Sequence, residues 1–177
     1  MTDKKEKILL AALELFANEG YNATPTSRIA KLAEVSEGLI FKHFRNKKGL
    51  LDAIVGEAEV RMQQFFLPVF EEDDPKEVLK KVIEMPFHAH VSLSRSQKDF
   101  WKLQFKLKWE KEYHKPEKMQ PLIDKLTVAF TDLSYANPEQ EAKLLTQIID
   151  TISVEMLRDS ADSQLDYHQF LLHKYNL

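Results

Sequence analysis

The residues best placed to do chemistry lie together between Thr24 and Lys48. Residues 36–44, Ser-Glu-Gly-Leu-Ile-Phe-Lys-His-Phe, read as a short helix that turns Ile40 and Phe44, at i and i+4, inward. Glu37, Leu39, Phe41, Lys42 and His43 are then left outward, and Gly38 offers bare backbone to anything that approaches closely. Leu39, Phe41 and His43 are odd choices for a face meant only for water. Lys47 and Lys48 open the next helix, where free backbone N–H groups and the helix dipole favour a phosphate. This is the chemistry of binding a polyanion and touching its base edges.

Covalent and metal chemistry find little support. There is no cysteine, which excludes disulfides, thiolate catalysis and cysteine zinc sites. No H-E-x-x-H, glycine-rich phosphate loop or nucleophile elbow occurs. His88 and His90 are two residues apart and would point to different sides of a helix, so a metal pair is not expected there. The expectation is a non-enzyme with no metal and no cofactor.

The elements that must position these residues read as all-α. Glycine occurs only at Gly20, Gly38, Gly49 and Gly56, so glycine-dependent hairpins are unavailable over the last 121 positions. Apolar residues recur at three- and four-residue spacing, with no sustained alternation. Nine helices are predicted. The first spans Asp3 to Glu19, with Ile8, Ala12, Leu15 and Phe16 inward and Gly20 as its C-terminal cap. Thr24-Pro25 starts the second, with threonine as N-cap, and Glu34-Val35 makes the turn. Ser36 caps the third helix. Asn46 caps a fourth that runs from Lys47 to Leu67, before Pro68. The later helices are Asp74 to Ser92, kinked at Pro86, then Ser96–Tyr113, Pro116–Leu133, Asn137–Arg158 and Asp162–Tyr175.

Charge is distributed unevenly. Residues 1–50 carry nine Lys/Arg against six Asp/Glu, a net of +3, whereas the remainder carries a net of −6. A basic head on an acidic body fits a protein whose head alone meets phosphates. No apolar run approaches the roughly 20 residues of a membrane helix. The first residues lack the apolar core of a signal peptide. The expected location is the cytoplasm, with no membrane partner.

Residues 25–32 and 37–43, joined by a tight turn, fit a DNA-binding helix-turn-helix, although two short helices also fit an ordinary bundle. Residues 8–51 resemble the N-terminal domain of the TetR family of transcriptional regulators. The matching features are Ala11-Ala12, Leu15-Phe16, Gly20-Tyr21, Thr24, Ile29-Ala30, Ala33, Val35-Ser36, Gly38, His43-Phe44, Lys47 and Leu50-Leu51. The resemblance implies a three-helix DNA-binding domain at residues 1–48, with its helix-turn-helix at about 24–44, and an effector-binding and dimerisation domain at 49–177. It places Ser36, Glu37, Gly38, Leu39, Phe41, Lys42 and His43 on the recognition helix. Thr24, Thr26, Ser27 and Arg28 fall on the supporting helix, and Lys47 on a phosphate. Three positions depart from the family pattern. Glu34 stands where glycine is commonest, and a non-glycine residue in a left-handed turn costs about 1–2 kcal/mol. Phe41 stands where tyrosine is usual, and Ser27 where arginine is frequent.

Residues 52–177 hold no recognised motif. The resemblance implies a homodimer, and Leu145, Ile148, Ile149, Ile152, Met156, Leu165, Phe170 and Leu172 form stripes wide enough for a four-helix interface. The same stripes fit burial within one chain. The resemblance also implies a small-molecule effector. Met62, Phe65, Phe66, Met85, His88, Phe100, Trp101, Gln104, Phe105 and Trp109 could line a mostly apolar cavity, or could be core. The expected partners are double-stranded operator DNA, a second copy of the chain and an unknown effector. The expected function is a repressor released from a palindromic operator by that effector. The alternatives are an activator of the same fold, or a helical enzyme or carrier with an apolar cavity.

Overall fold

Asp74 and Pro75 illustrate how the helices begin. The Asp74 carboxylate accepts from the backbone N–H of Lys76 at 2.8 Å and of Glu77 at 3.1 Å, and Pro75 fills the first helical position, where no N–H is needed. The computed structural model describes residues 3–108, 110, 113, 116–157 and 161–177, without the side chains at 58, 59, 62, 90, 91, 116 and 161–165. Among the described residues there are nine α-helices, one 3-10 turn and no strand, in agreement with the all-α reading. The helices are α1 Asp3–Glu19, α2 Thr26–Leu32, α3 Glu37–Phe44, α4 Lys47–Phe70, α5 Pro75–Ser92, α6 Arg95–Leu107, α7 Gln120–Asp132, α8 Pro138–Leu157 and α9 Ala161–Lys174.

The boundaries differ from expectation in three places, each involving proline or a turn. α4 runs past Pro68 to Phe70, because a proline in the last turn removes only one ladder bond. α6 stops at Leu107 rather than Tyr113, and the Glu110 N–H folds back onto the Leu107 carbonyl at 3.0 Å. The segment Pro116–Met119 is a 3-10 turn, and α7 begins at Gln120. Pro121 fits that start, since a proline ring is best accommodated in the first turn of an α-helix.

The chain forms two compact units. One comprises Met1–Gln63 with Ser94–Tyr113, the other Gln64–Leu93 with His114–Leu177. The expected boundary at residue 48 falls inside the first unit. Its core joins Ile8, Ala12, Leu15 and Phe16 of α1 to Ile29, Ala30, Ile40, Phe44, Leu50, Leu51 and Ile54, and to Phe100, Leu103 and Leu107 of α6. Polar contacts hold α6 on α1. Asn18 Nδ2 donates to the buried Asp99 carboxylate at 3.1 Å, and Arg95 pairs with Glu14 at 2.8 Å.

The second unit packs Val78, Leu79, Val82 and Ile83 of α5 against Leu122, Leu126 and Phe130 of α7 and Leu145, Ile149, Ile152 and Met156 of α8. Leu171 of α9 and Tyr175 close this core. Burial, and then the Glu141 carboxylate that accepts its hydroxyl at 3.3 Å, push the Tyr175 phenol well above its usual range. Among the described residues, no helix is long and apolar enough to cross a membrane.

Candidate nucleic-acid interface

Gly20 ends α1 in a left-handed conformation, φ +96°, with its N–H donated to the Phe16 carbonyl at 3.1 Å. Thr24 lies in the turn that follows and departs from expectation. Its side chain is fully buried, and its hydroxyl donates to the Gly20 carbonyl at 2.8 Å. It therefore braces the loop between α1 and α2, and its side chain is not presented outward. Pro25, not Thr24, takes the N-cap position of α2, with no side-chain cap.

The α2–α3 turn is built as the sequence implies. Glu34 adopts φ +55°, and the Val35 N–H reaches back to the Ala30 carbonyl at 3.0 Å, closing the end of α2. Ile40 and Phe44 of α3 are buried, and Val35 packs on the same core. Ser36 stands at the α3 N-cap in extended backbone, but its hydroxyl makes no cap bond and stays exposed. Asn46 does cap α4, accepting from the Gly49 N–H at 2.7 Å.

The outward side of α3 carries Glu37, Gly38, Phe41 and Lys42, all exposed, with Leu39 and His43 half-buried at its flanks. Phe41, a large ring, is 43% exposed. A Cβ added at Gly38 would meet nothing within 4 Å, so nothing in the chain's own packing demands glycine there. On α2, Ser27 is exposed, Arg28 is ion-paired with Glu19 at 2.7 Å, and Thr26 donates to Glu37 Oε1 at 2.5 Å. The Thr26–Glu37 tie joins residues 11 apart across the turn and has no signature in the sequence. Arg45, also unanticipated, is exposed in a left-handed turn between α3 and α4, φ +66°.

Lys47 is half-buried. Its ammonium lies 4.5 Å from the Tyr21 ring centroid and 3.5 Å from the Asn22 carbonyl oxygen. Partial burial lowers its pKa from the usual lysine value. The cation thus sits in a fixed place at the start of α4, beside the end of α3.

The other sequence-predicted residues are divided. Phe100 is buried in the first core, with Trp101 packed against it, and the Trp101 and Phe105 ring centroids are 6.4 Å apart. Gln104 Nε2 is buried and meets no acceptor among the described residues. Phe66 and Met85 pack on the core of the second unit, Phe65 lies edge-on to Phe66 at 5.6 Å, and His88 is exposed. The Met62 and Leu165 side chains, and Trp109, lie outside the described residues. The C-terminal stripe also separates. Leu145, Ile149, Ile152 and Met156 are buried in the chain's own core, whereas the sequence reading assigns them to an interface with a second copy. Ile148 and Leu172 are half-buried, whereas Phe170 is 60% exposed. Among the described residues, no cluster of three or more metal-ligating side chains occurs.

Residues 8–54 match the family described as bacterial regulatory proteins, tetR family. The chain is 33% identical over 130 residues to the HTH-type transcriptional regulator QacR of Staphylococcus aureus, covering 72% of this chain and 65% of that protein. It is 27% identical over 133 residues to the HTH-type transcriptional repressor BepR of Brucella suis, covering 74% of this chain and 61% of that protein. In both, the matched part is less than two thirds of the relative's own length. The fold is similar to that of a TetR-like transcriptional regulator from Rhodococcus sp. RHA1, with a TM-score of 0.78 at 16% identity over 95% of this chain and 92% of that one. It is also similar to AibR in complex with isovaleryl coenzyme A and operator DNA, with a TM-score of 0.62 at 16% identity over 87% of this chain and 96% of that one.

Proposed function

We propose that this chain, whose residues 8–54 form an N-terminal domain of the TetR family, is a homodimeric transcriptional regulator that reads a palindromic operator and releases it on binding a small, mostly apolar effector. The observation that carries the reading is the outward side of α3. Phe41, Lys42, Glu37 and glycine backbone are exposed there on a helix whose inner side is locked by Ile40 and Phe44. A rigid short helix with mixed apolar, basic and acceptor groups outward is suited to the major groove. Lys47 and Arg45 beside it supply phosphate contacts.

Each protomer inserts α3 into one half-site, with half-site centres about 34–36 Å apart. The exposed Leu144, Tyr167 and Phe170 of α8 and α9 supply apolar surface for the second copy. Trp101 and Phe105 of α6, with the Gln104 amide as a polar handle, supply the effector contacts. An effector changes DNA binding only by favouring the released state. AibR, of similar fold, is described with both operator DNA and isovaleryl coenzyme A, which supports one fold serving both ligands.

Gel-shift titration of the full chain against its own upstream region tests the reading. A specific complex lost in a His43→Ala, Lys47→Ala double variant supports it. Equal binding of both proteins, at an affinity independent of sequence, overturns it.

A further inference from the structure

Glu37 is the one carboxylate on α3, and it stands in the first turn on an exposed surface. A carboxylate brought to a polyanion is repelled unless it finds a hydrogen-bond donor. On the major-groove edges of the bases, the donors are the amino groups of cytosine N4 and adenine N6. Thr26 Oγ1 donates to Glu37 Oε1 at 2.5 Å, which fixes the side chain from the neighbouring helix. An ionised carboxylate has lone pairs for about four donors, so one hydroxyl leaves most of its acceptor capacity open.

We infer that Glu37, positioned by Thr26, accepts a hydrogen bond from cytosine N4 at one position of each half-site, and so determines part of the sequence preference. This rests on the DNA-reading function proposed above. Cytosine is favoured over adenine on electrostatic grounds. Adenine N6 has an acceptor on both sides, its own N7 and the thymine O4, which repel a carboxylate, whereas cytosine N4 has one on a single side, the guanine O6. Thr26 is a positioning residue here. Its hydroxyl holds the carboxylate in one rotamer, so the acceptor meets the base without first being ordered.

The competing possibility is that the pair only ties α2 to α3. In that case removing it weakens binding to every sequence equally. Full-length wild type, E37Q and T26V are each selected against a randomised duplex pool, with circular dichroism melting to confirm folding. The wild type enriches a two-fold site with cytosine at one position per half-site. E37Q moves that position towards adenine, by about tenfold, because a carboxamide pairs with both N6 and N7. T26V keeps cytosine first but narrows its lead severalfold. An E37Q profile with the wild-type base order and only uniform loss overturns the inference and leaves the regulator reading intact. Should E37Q fail to fold, T26V decides, and an undiminished cytosine preference overturns it. A wild type that enriches no sequence overturns both.

Discussion

Gly49 lies so close to Phe44 that a Cβ at position 49 would overlap the Phe44 carbonyl oxygen. The contact arises from the tight passage between α3 and α4. Arg45 takes φ +66°, the Asn46 N–H returns to the Phe44 carbonyl at 2.8 Å, and Asn46 Oδ1 accepts from the Gly49 N–H. The end of the proposed recognition helix is therefore folded directly over the start of α4, and the angle of α3 depends on it.

Gly49→Ala tests that dependence. In an open helix the change would stabilise by about 1 kcal/mol. Here the clash is with backbone, which cannot swing aside, and overpacking costs about 1–3 kcal/mol. The expected net effect is a loss of up to about 2 kcal/mol in denaturant unfolding, with weaker DNA binding. A gain in stability would show that the turn relaxes freely.

Glu34→Gly should act in the opposite direction. Glu34 is exposed and held at φ +55°, where a side chain is strained by about 1–2 kcal/mol. Glycine removes the strain but adds about 0.5–1 kcal/mol of unfolded-state entropy. The midpoint of thermal unfolding should rise slightly, with DNA affinity unchanged.

Much of this head is legible in the sequence because its constraints are local. Glycine after α1, a turn at Glu34, and Ile40 and Phe44 at i and i+4 each report a short-range requirement, and all are met. Thr24 misleads because a threonine before proline has the sequence form of an N-cap, yet long-range burial makes its hydroxyl a brace for Gly20. The stripe at Leu145, Ile149, Ile152 and Met156 is ambiguous in the sequence for another reason. Periodicity marks an apolar face without saying what covers it, and α5 and α7 contribute the residues packed with it. The Thr26–Glu37 tie and the recruitment of α6 to the first core are tertiary contacts between distant residues, and no spacing rule announces them.

Glu72 gives a pH-dependent prediction. The hydrogen bond from Lys81, then the backbone N–H groups of Asp74 and Asp73, hold its carboxyl down to about 2, from an ordinary 4.5. Because the folded value is the lower one, the stabilisation is full above pH 4.5 and is lost as pH falls through about 2. NMR titration of the Glu72 carboxyl should show that low midpoint, and Lys81→Met should return it towards 4.5.

Lys47→Gln separates phosphate contact from base reading. Its ammonium is already ordered on Tyr21 and beside the Asn22 carbonyl, so little side-chain freedom is lost when a phosphate binds. The expected result is a similar loss of affinity for all sequences. The slope of log K against log salt should fall by about one charge. A changed base preference with an unchanged slope would remove Lys47 from the phosphate contacts.

Phe170 and Leu145 distinguish the dimer face from the core. Leu145 is fully buried, so Leu145→Ala should cost about 2–5 kcal/mol of folding stability at any protein concentration. Phe170 is 60% exposed in the single chain, so Phe170→Lys removes little internal packing. If a second copy covers that ring, the lysine places an uncompensated charge in an apolar interface, and truncating or charging such an anchor costs about 2 kcal/mol or more of association. Sedimentation velocity should then find a wild-type dimer and a Phe170→Lys monomer that retains its helical circular dichroism. DNA binding should weaken in parallel, since one protomer reads only one half-site. A Phe170→Lys protein that stays dimeric would move the interface away from the exposed face of α9, and a wild type that is monomeric at micromolar concentration would remove the two-fold reading altogether.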